Sequence, residues 1–202
     1  MTNSDIDTID WEKGGGLVPA IAQHWRSGAV LMLGYVNREA LSKTLQSGNV
    51  TFWSRSRKRL WTKGETSGNF LALRSLHVDC DNDTVLLLVE PAGPTCHLGS
   101  DSCFGDAAPA VSVLASLEDV IAQRDRDRPA DSYTTRLFES GIRRIAQKVG
   151  EEGVETALAA VAQDEASIAS EAADLLYHLL VLLRARNVSL DDVAKELQTR
   201  RG

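Results

Sequence analysis

Cysteine, aromatic residues, basic excess and long apolar runs are all scarce in this chain, and each shortage excludes a class of protein. Three cysteines in 202 residues are an odd count that no complete disulfide framework accommodates. They suit free thiols or metal ligands in a reducing cytosol, so the expected location is cytoplasmic. The longest apolar run, residues 175–183, is broken by Tyr177 and His178 and falls short of the roughly 20 residues of a membrane span. Residues 1–11 are acidic and lack the basic and apolar regions of an export signal, so no membrane partner is expected. A net charge of −6 argues against non-specific nucleic-acid binding. What remains is ordinary for a globular chain: 43% hydrophobic and 25% charged residues, which exclude disorder and fibrous repeats.

Composition changes part-way along. All four Trp and all three Cys precede residue 104, and four of the five Pro precede residue 110. Beyond that point Ala, Leu, Glu and Arg dominate. The small-residue stretch Gly105-Asp106-Ala107-Ala108-Pro109 suits a connection between domains. The expected organisation is a domain over residues 1–108, a linker over 109–115 and a second domain over 116–202.

The first domain reads as α+β, mainly antiparallel β. A strand pair over 17–24 and 30–36 turns around Ser27-Gly28. Asn37 caps a helix over 38–46 that Gly48 stops, and strand-like runs follow at 50–54, 71–78 and 84–89. The last run is nearly all Leu and β-branched residues, which predicts burial on both faces. The second domain reads as an all-α helical bundle. Helical patterns cover 117–124, 133–148, 151–163, 165–186 and 190–200. Asn187 suits a C-terminal turn, and Ser189 with Asp192 forms a capping box.

Chemistry-bearing residues cluster in both halves. Asp79-Cys80-Asp81-Asn82-Asp83 packs three carboxylates and a thiol into five residues. In an extended chain the carboxylates share one face and Cys80 takes the other. Carboxylates suit Mg²⁺ and a thiolate suits Zn²⁺. With Cys96 and Cys103, three thiolates would leave a tetrahedral zinc one position for water. The alternative is an acidic turn with inert cysteines. Arg55, Arg57, Lys58, Arg59 and Lys63 concentrate positive charge among Trp53, Ser54 and Trp61, a composition suited to a phosphate and a base. A charged, solvated hairpin edge has the same composition. His97 adjoins Cys96, either as general base or as an orienting hydrogen-bond partner. His24 and His77 fit packing or surface roles.

In the second half, Glu152 and Glu155 lie three apart, as do Glu171 and Asp174, so each pair shares a helix face. Two such helices packed antiparallel would converge four carboxylates, enough for one or two Mg²⁺ against a polyphosphate. Glu171, Asp174 and His178 fall within a 60° sector of a helix that is otherwise almost wholly apolar, with Arg184 marking the wet side. That favours a buried or cleft-lining acidic patch, with His178 on the acidic face or in the core. Lys148 lies one turn before Glu152, within reach of a phosphate or of solvent.

These residues carry two resemblances. The runs 52–57, 60–69 (LWTKGETSGN), 78–83 (VDCDND) and 96–104 together resemble phosphoribosyl-AMP cyclohydrolase over roughly residues 10–108. Leu98 stands where Thr is expected. This resemblance implies zinc on Cys80, Cys96 and Cys103, and magnesium on Asp79, Asp81 and Asp83. It also implies substrate contacts from Trp53, Ser54, Arg55, Arg57, Lys63 and Ser67, and a zinc-activated water that opens the adenine ring. It further implies a homodimer in which Cys80 of one subunit meets Cys96 and Cys103 of its partner. Ser132-Tyr133-Thr134, the run 141–155 and Glu171–Asp174 resemble phosphoribosyl-ATP pyrophosphohydrolase over roughly 114–202, with Gly153 where Ala is expected. That resemblance implies Mg²⁺ on Glu151, Glu152, Glu155, Glu171 and Asp174, with Glu152 and Lys148 acting in catalysis. Taken together they imply a bifunctional hydrolase of histidine biosynthesis acting on small phosphoribosyl nucleotides. The competing readings are a general nucleotide pyrophosphohydrolase with an inactive first half, and a zinc-stabilised nucleotide-binding regulatory module.

Overall fold

The computed structural model describes residues 3–201; Met1 and Thr2 of the expected first domain and Gly202 of the second lie outside the described residues. The chain divides into two compact units between Ser112 and Val113. The segment 109–115 is not an open linker, because Ala110–Ser112 form a 3-10 turn and the next residues open a helix.

In the first unit, strands β1 (Val18–His24) and β2 (Val30–Val36) form an antiparallel hairpin. Helix α1 (Arg38–Ser47) follows, with the Asn37 side chain accepting the Ala40 N–H and Gly48 closing it at a left-handed φ of 73°. The remaining strands are β3 (Thr51–Ser54), β4 (Arg59–Thr62), β5 (Leu71–Val78) and β6 (Val85–Pro91). One sheet has the order β2-β1-β6-β5, and β3 and β4 form a separate two-stranded hairpin. Every pairing is antiparallel except β1 with β6, so the expected α+β, mainly antiparallel class holds.

Period-2 alternation builds the core. Val18, Ala20 and Ala22 of β1 and Val85, Leu87 and Val89 of β6 are wholly buried on one face. Leu86 and Leu88, on the other face, are only half-buried, so β6 is not covered on both sides as its composition predicts. Strand β4 has no counterpart in the sequence-based expectation, since the cations around it obscure its apolar positions. β2 carries a bulge opposite Ala22 and Gln23 that leaves Leu31 without a ladder partner.

The second unit contains helices α2 (Val113–Asp127), α3 (Tyr133–Glu139), α4 (Ile142–Ala162), α5 (Glu165–Ala185) and α6 (Leu190–Thr199). Its core joins Ile121, Leu137, Ile145, Leu180 and Val181. The helical boundary expected near residue 149 lies instead at Ser140-Gly141, where Gly141 takes a φ of 82°. Helix propensity did not reveal that break, because Gly150 and Gly153 are both tolerated inside α4. The Ser189–Asp192 capping box forms, and Asn187 adopts a left-handed φ of 56°. Only two residues separate α4 from α5, which makes them an antiparallel hairpin. Against expectation, α5 is long and apolar enough to cross a membrane by length and composition, although it carries Glu171 and Asp174 midway and packs against α4.

A close approach inside the first core yields a test. A Cβ on Gly34 would come within 2.3 Å of the Phe52 ring, which is wholly buried. Gly34→Ala is expected to destabilise the first unit by about 1–3 kcal/mol through overpacking, and adding Phe52→Leu is expected to recover part of that. Urea unfolding followed by tryptophan fluorescence reports this unit alone, since all four Trp lie in it.

Candidate functional site

Two cysteines sit on a loop tied to the edge of the sheet. The Cys103 N–H donates to the carbonyl of Leu31, the bulged residue of β2, at 2.8 Å. The Ser102 hydroxyl donates to the Val30 carbonyl at 2.7 Å, and the Cys96 N–H closes the loop onto the Ser100 carbonyl at 2.9 Å. A cleft of about 500 Å³ results, lined by Cys96, His97 and Cys103 with Arg57, Trp61, Lys63 and Ser67. The Cys96 thiol pKa is lowered, chiefly by the Leu98 N–H and then by the Ser100 hydroxyl, whereas partial burial pushes the Cys103 thiol up. Burial also lowers the Lys63 pKa, against the pull of both thiols, and its ammonium donates to the Asn69 carbonyl at 3.1 Å. His97 is exposed, with Nδ1 4.0 Å from the Cys96 sulfur.

Cys80 is elsewhere in the unit. It is exposed in the β5–β6 turn, and among the described residues the three thiols form no cluster within one chain. That turn is not extended, contrary to the alternation expected for residues 79–83. The Asp79 carboxylate accepts the N–H groups of Asp83 and Thr84, both at 3.0 Å, and Asn82 takes a φ of 60°. Tight folding still draws one oxygen each of Asp79, Asp81 and Asp83 to within 4.8 Å of one another. Lys13 meets Asp81 at 2.6 Å and Asp83 at 2.5 Å, which raises the lysine pKa and lowers that of Asp83.

The basic stretch is only partly drawn into the cleft. Arg57, Lys63 and Ser67 line it, but Trp53, Ser54 and Arg55 do not. Trp53 pairs with Leu60, and Phe52 with Trp61, so alternation along the hairpin sends Trp53 and Trp61 to opposite faces. The Arg55 guanidinium lies over the Tyr35 ring at 3.8 Å, and Ser54 accepts the Arg57 N–H at 3.2 Å. His24 caps its own turn by accepting the N–H groups of Arg26 and Ser27, and His77 is exposed.

In the second unit the i, i+3 spacing brings Glu152 and Glu155 of α4 together with Glu171 of α5, one oxygen from each lying within 4.8 Å of the others. Glu152 is 5% exposed and accepts from Lys148 at 2.6 Å, which raises the lysine pKa. The same hydrogen bond holds the Glu152 carboxyl below its ordinary range, while hydrogen bonding to Glu152, and then its charge, raises Glu155. Two expected members stand apart. Asp174 is exposed and outside the cluster, and Glu151 is taken by Arg144, Gln147 and Lys148. The acidic patch is therefore buried only at Glu152. His178 is 4% exposed; its Nδ1 meets the Asp174 carbonyl at 2.9 Å and its Nε2 the Tyr133 hydroxyl at 3.2 Å. A carbonyl only accepts, so Nδ1 carries a hydrogen and faces Glu152 at 3.7 Å. Arg184, expected on the wet side, instead bridges to Asp125 of α2 at 2.8 Å.

Comparison with known proteins now adds to this geometry. The family profile of phosphoribosyl-AMP cyclohydrolase matches residues 32–105, and that of phosphoribosyl-ATP pyrophosphohydrolase matches residues 114–201. The histidine biosynthesis bifunctional protein HisIE of Xanthomonas axonopodis pv. citri is 58% identical over 98% of this chain and 96% of its own length. HisIE proteins of Escherichia coli K12 and Salmonella typhimurium are 56% and 55% identical, each over 99% of this chain and 98% of their own lengths. The chain belongs to the HisIE family. It is thus a bifunctional enzyme of histidine biosynthesis, with a cyclohydrolase domain followed by a pyrophosphohydrolase domain that act on small phosphoribosyl nucleotides.

Three features of these HisIE sites escape sequence reasoning. Lys13 reaches the acidic turn across 68 residues, which no local pattern reveals. Trp61, rather than Trp53, faces the cleft, and only the pairing of β3 with β4 locates it. Thr95 lines the cleft 3% exposed with its hydroxyl unpartnered, a feature visible only in three dimensions.

The Lys148–Glu152 pair predicts a pH signature. A depressed Glu152 pKa contributes stability above the unfolded carboxylate pKa of about 4.3 and loses it as pH falls through the lower folded value. Lys148→Met is expected to destabilise the second unit by about 1–3 kcal/mol at neutral pH, since Glu152 loses its partner. The deficit relative to the wild type should shrink progressively as pH falls below about 4, while the wild-type Glu152 titrates through its lowered pKa and gives up the Lys148 pairing. Urea unfolding followed by helical circular dichroism at both pH values checks this.

Proposed function

We propose that the two domains use different metals for consecutive hydrolyses in the cytoplasm, the second domain acting first. The observation that carries this reading is the contrast in donor chemistry: sulfur lines the cleft of one unit, whereas only carboxylates converge between α4 and α5 of the other. Thiolates select zinc and carboxylate oxygens select magnesium, so each donor set fits the metal implied for it.

In the second domain Glu152, Glu155 and Glu171 would hold Mg²⁺, with Glu151 and Asp174 flanking them. Bound there, magnesium neutralises the triphosphate of phosphoribosyl-ATP. A water attacks the α-phosphorus, the bond to the β-phosphate bridging oxygen breaks, and pyrophosphate leaves from phosphoribosyl-AMP. Glu152, buried and held ionised by Lys148, is the base that orients this water. Lys148 then exchanges its carboxylate partners for phosphate oxygens.

In the first domain Cys96 and Cys103 would hold zinc with one more thiolate, and Asp79, Asp81 and Asp83 would hold magnesium. Zinc supplies a nucleophilic water at neutral pH by lowering its pKa to about 7. Arg57, Lys63 and Ser67 bind the phosphate of phosphoribosyl-AMP, and Trp61 offers a stacking face to the purine. Trp53, Ser54 and Arg55 brace that hairpin from outside the cleft. His97 would take a proton from the water as it adds to C6 and return it to N1 as the C6–N1 bond opens.

The third thiolate points to a homodimer. Cys80 lies outside the cleft that holds the other two, so a partner's Cys80 completes the zinc set in this reading. Apolar surface on the second unit supports the same conclusion. Val154, Leu158 and Val161 recur along α4 at 60%, 58% and 88% exposure, and only 17% of the apolar window of α5 is buried.

Two experiments test the proposal. Glu152→Gln is expected to lower pyrophosphate release at least about 100-fold with ring opening unchanged, and Cys103→Ser the reverse. Loss of both activities in either folded variant would refute separate sites. Cys80→Ser and Cys103→Ser chains, each inactive in ring opening, are expected to regain part of that activity when refolded together. No recovery in a verified heterodimer would place all three thiolates in one chain.

A further inference from the structure

Lys13 occupies the position a metal ion would take. Its ammonium lies 2.6 Å from Asp81 Oδ2 and 2.5 Å from Asp83 Oδ2, and Asp79 completes the carboxylate cluster. The segment that carries Lys13 is docked on the same turn, because the Asp10 N–H donates to the Asn82 carbonyl at 2.8 Å. Asp10 in turn accepts the Lys13 N–H at 3.1 Å. Gly14-Gly15-Gly16 follows, with φ of 62° and 87° at the last two and no atom within 4 Å of where their side chains would begin. The Lys13 side chain is itself 48% exposed, so its ammonium can leave the carboxylates without disturbing the core.

We infer that Lys13 is a built-in counter-cation of the Asp79–Asp83 turn, and that a divalent cation takes this turn only by displacing it. The inference rests on the reading of this turn as a hard-cation site. Three carboxylates at this spacing repel one another, and one ammonium leaves the cluster at a net charge of −2. Magnesium draws carboxylate oxygens to about 2.0–2.1 Å, so it needs the oxygens that the ammonium holds. Two cations sharing those oxygens would repel each other at van der Waals distance. The lysine therefore keeps the turn folded without metal and weakens its affinity for metal, setting the concentration at which it fills.

Tb³⁺, a hard oxygen-seeking ion, is the probe. Its luminescence excited through tryptophan reports the first unit, which holds all four Trp, among them Trp11 two residues from Lys13. In the full-length chain, Lys13→Met is expected to bind Tb³⁺ about five- to tenfold more tightly than wild type, and the Mg²⁺ needed to displace it should fall by a similar factor. Lys13→Gln is expected to match Lys13→Met, and Lys13→Arg, which keeps the charge, to stay within about twofold of wild type. Thermal unfolding gives a second reading of opposite sign. In chelator, Lys13→Met should melt below wild type, and added Mg²⁺ should raise its midpoint by more. Unchanged or weaker Tb³⁺ binding in both neutral variants overturns the displacement. Tryptophan-excited Tb³⁺ binding that survives Asp81→Asn, or none in any variant, overturns the cation reading of the turn and the displacement with it.

Discussion

Carboxylates crowded within a few ångströms repel, and in each unit a lysine offsets that repulsion. Lys13 does so for the β5–β6 turn, reaching back from the N-terminal segment. Lys148 does so for Glu151 and Glu152 from the preceding turn of the same helix. The two solutions differ in reach, and the difference follows from secondary structure. A helix puts residues four apart side by side, so its own sequence supplies the partner. A β-turn has no such neighbour, and the counter-charge must come from a distant segment.

Sulfur poses the reverse problem. Cys96 and Cys103 need to approach each other and a polar cleft without being buried inert. The loop that carries them is tied to β2 by the Cys103 N–H and the Ser102 hydroxyl, and both thiols stay accessible. The bulge at Leu31 supplies one of those bonds, since an unpaired ladder carbonyl accepts the Cys103 N–H. The cleft is thus shaped by an irregularity in the sheet, with Lys63 and Ser67 entering from the connection after β4.

Local signals are legible in the sequence. Asn37, Gly48, Asn187 and the Ser189–Asp192 pair mark their boundaries because caps act within four residues. The Glu152–Glu155 face was legible for the same reason. What escaped depended on distance or on competing patterns. The break at Gly141 was hidden among glycines that α4 tolerates, and β4 among cations. Asp174 shares the helix sector of Glu171 and His178, yet periodicity cannot say which carboxylate the neighbouring helix reaches. Alternating carboxylates at 79–83 suggest an extended segment, although Asp79 folds it back by accepting two backbone N–H groups.

The cysteine loop also guards an edge. β2 is the outermost strand of its sheet, and an uncovered strand edge invites pairing with another chain. Ser102 and Cys103 occupy the carbonyls of Val30 and Leu31, so the segment that presents two thiols also blocks strand addition there. Solubility and chemistry are consequently coupled through a single loop. A substitution that loosens it uncovers an unsatisfied β-edge beside two thiols that are already accessible, so damage to this site and a tendency to aggregate arise together.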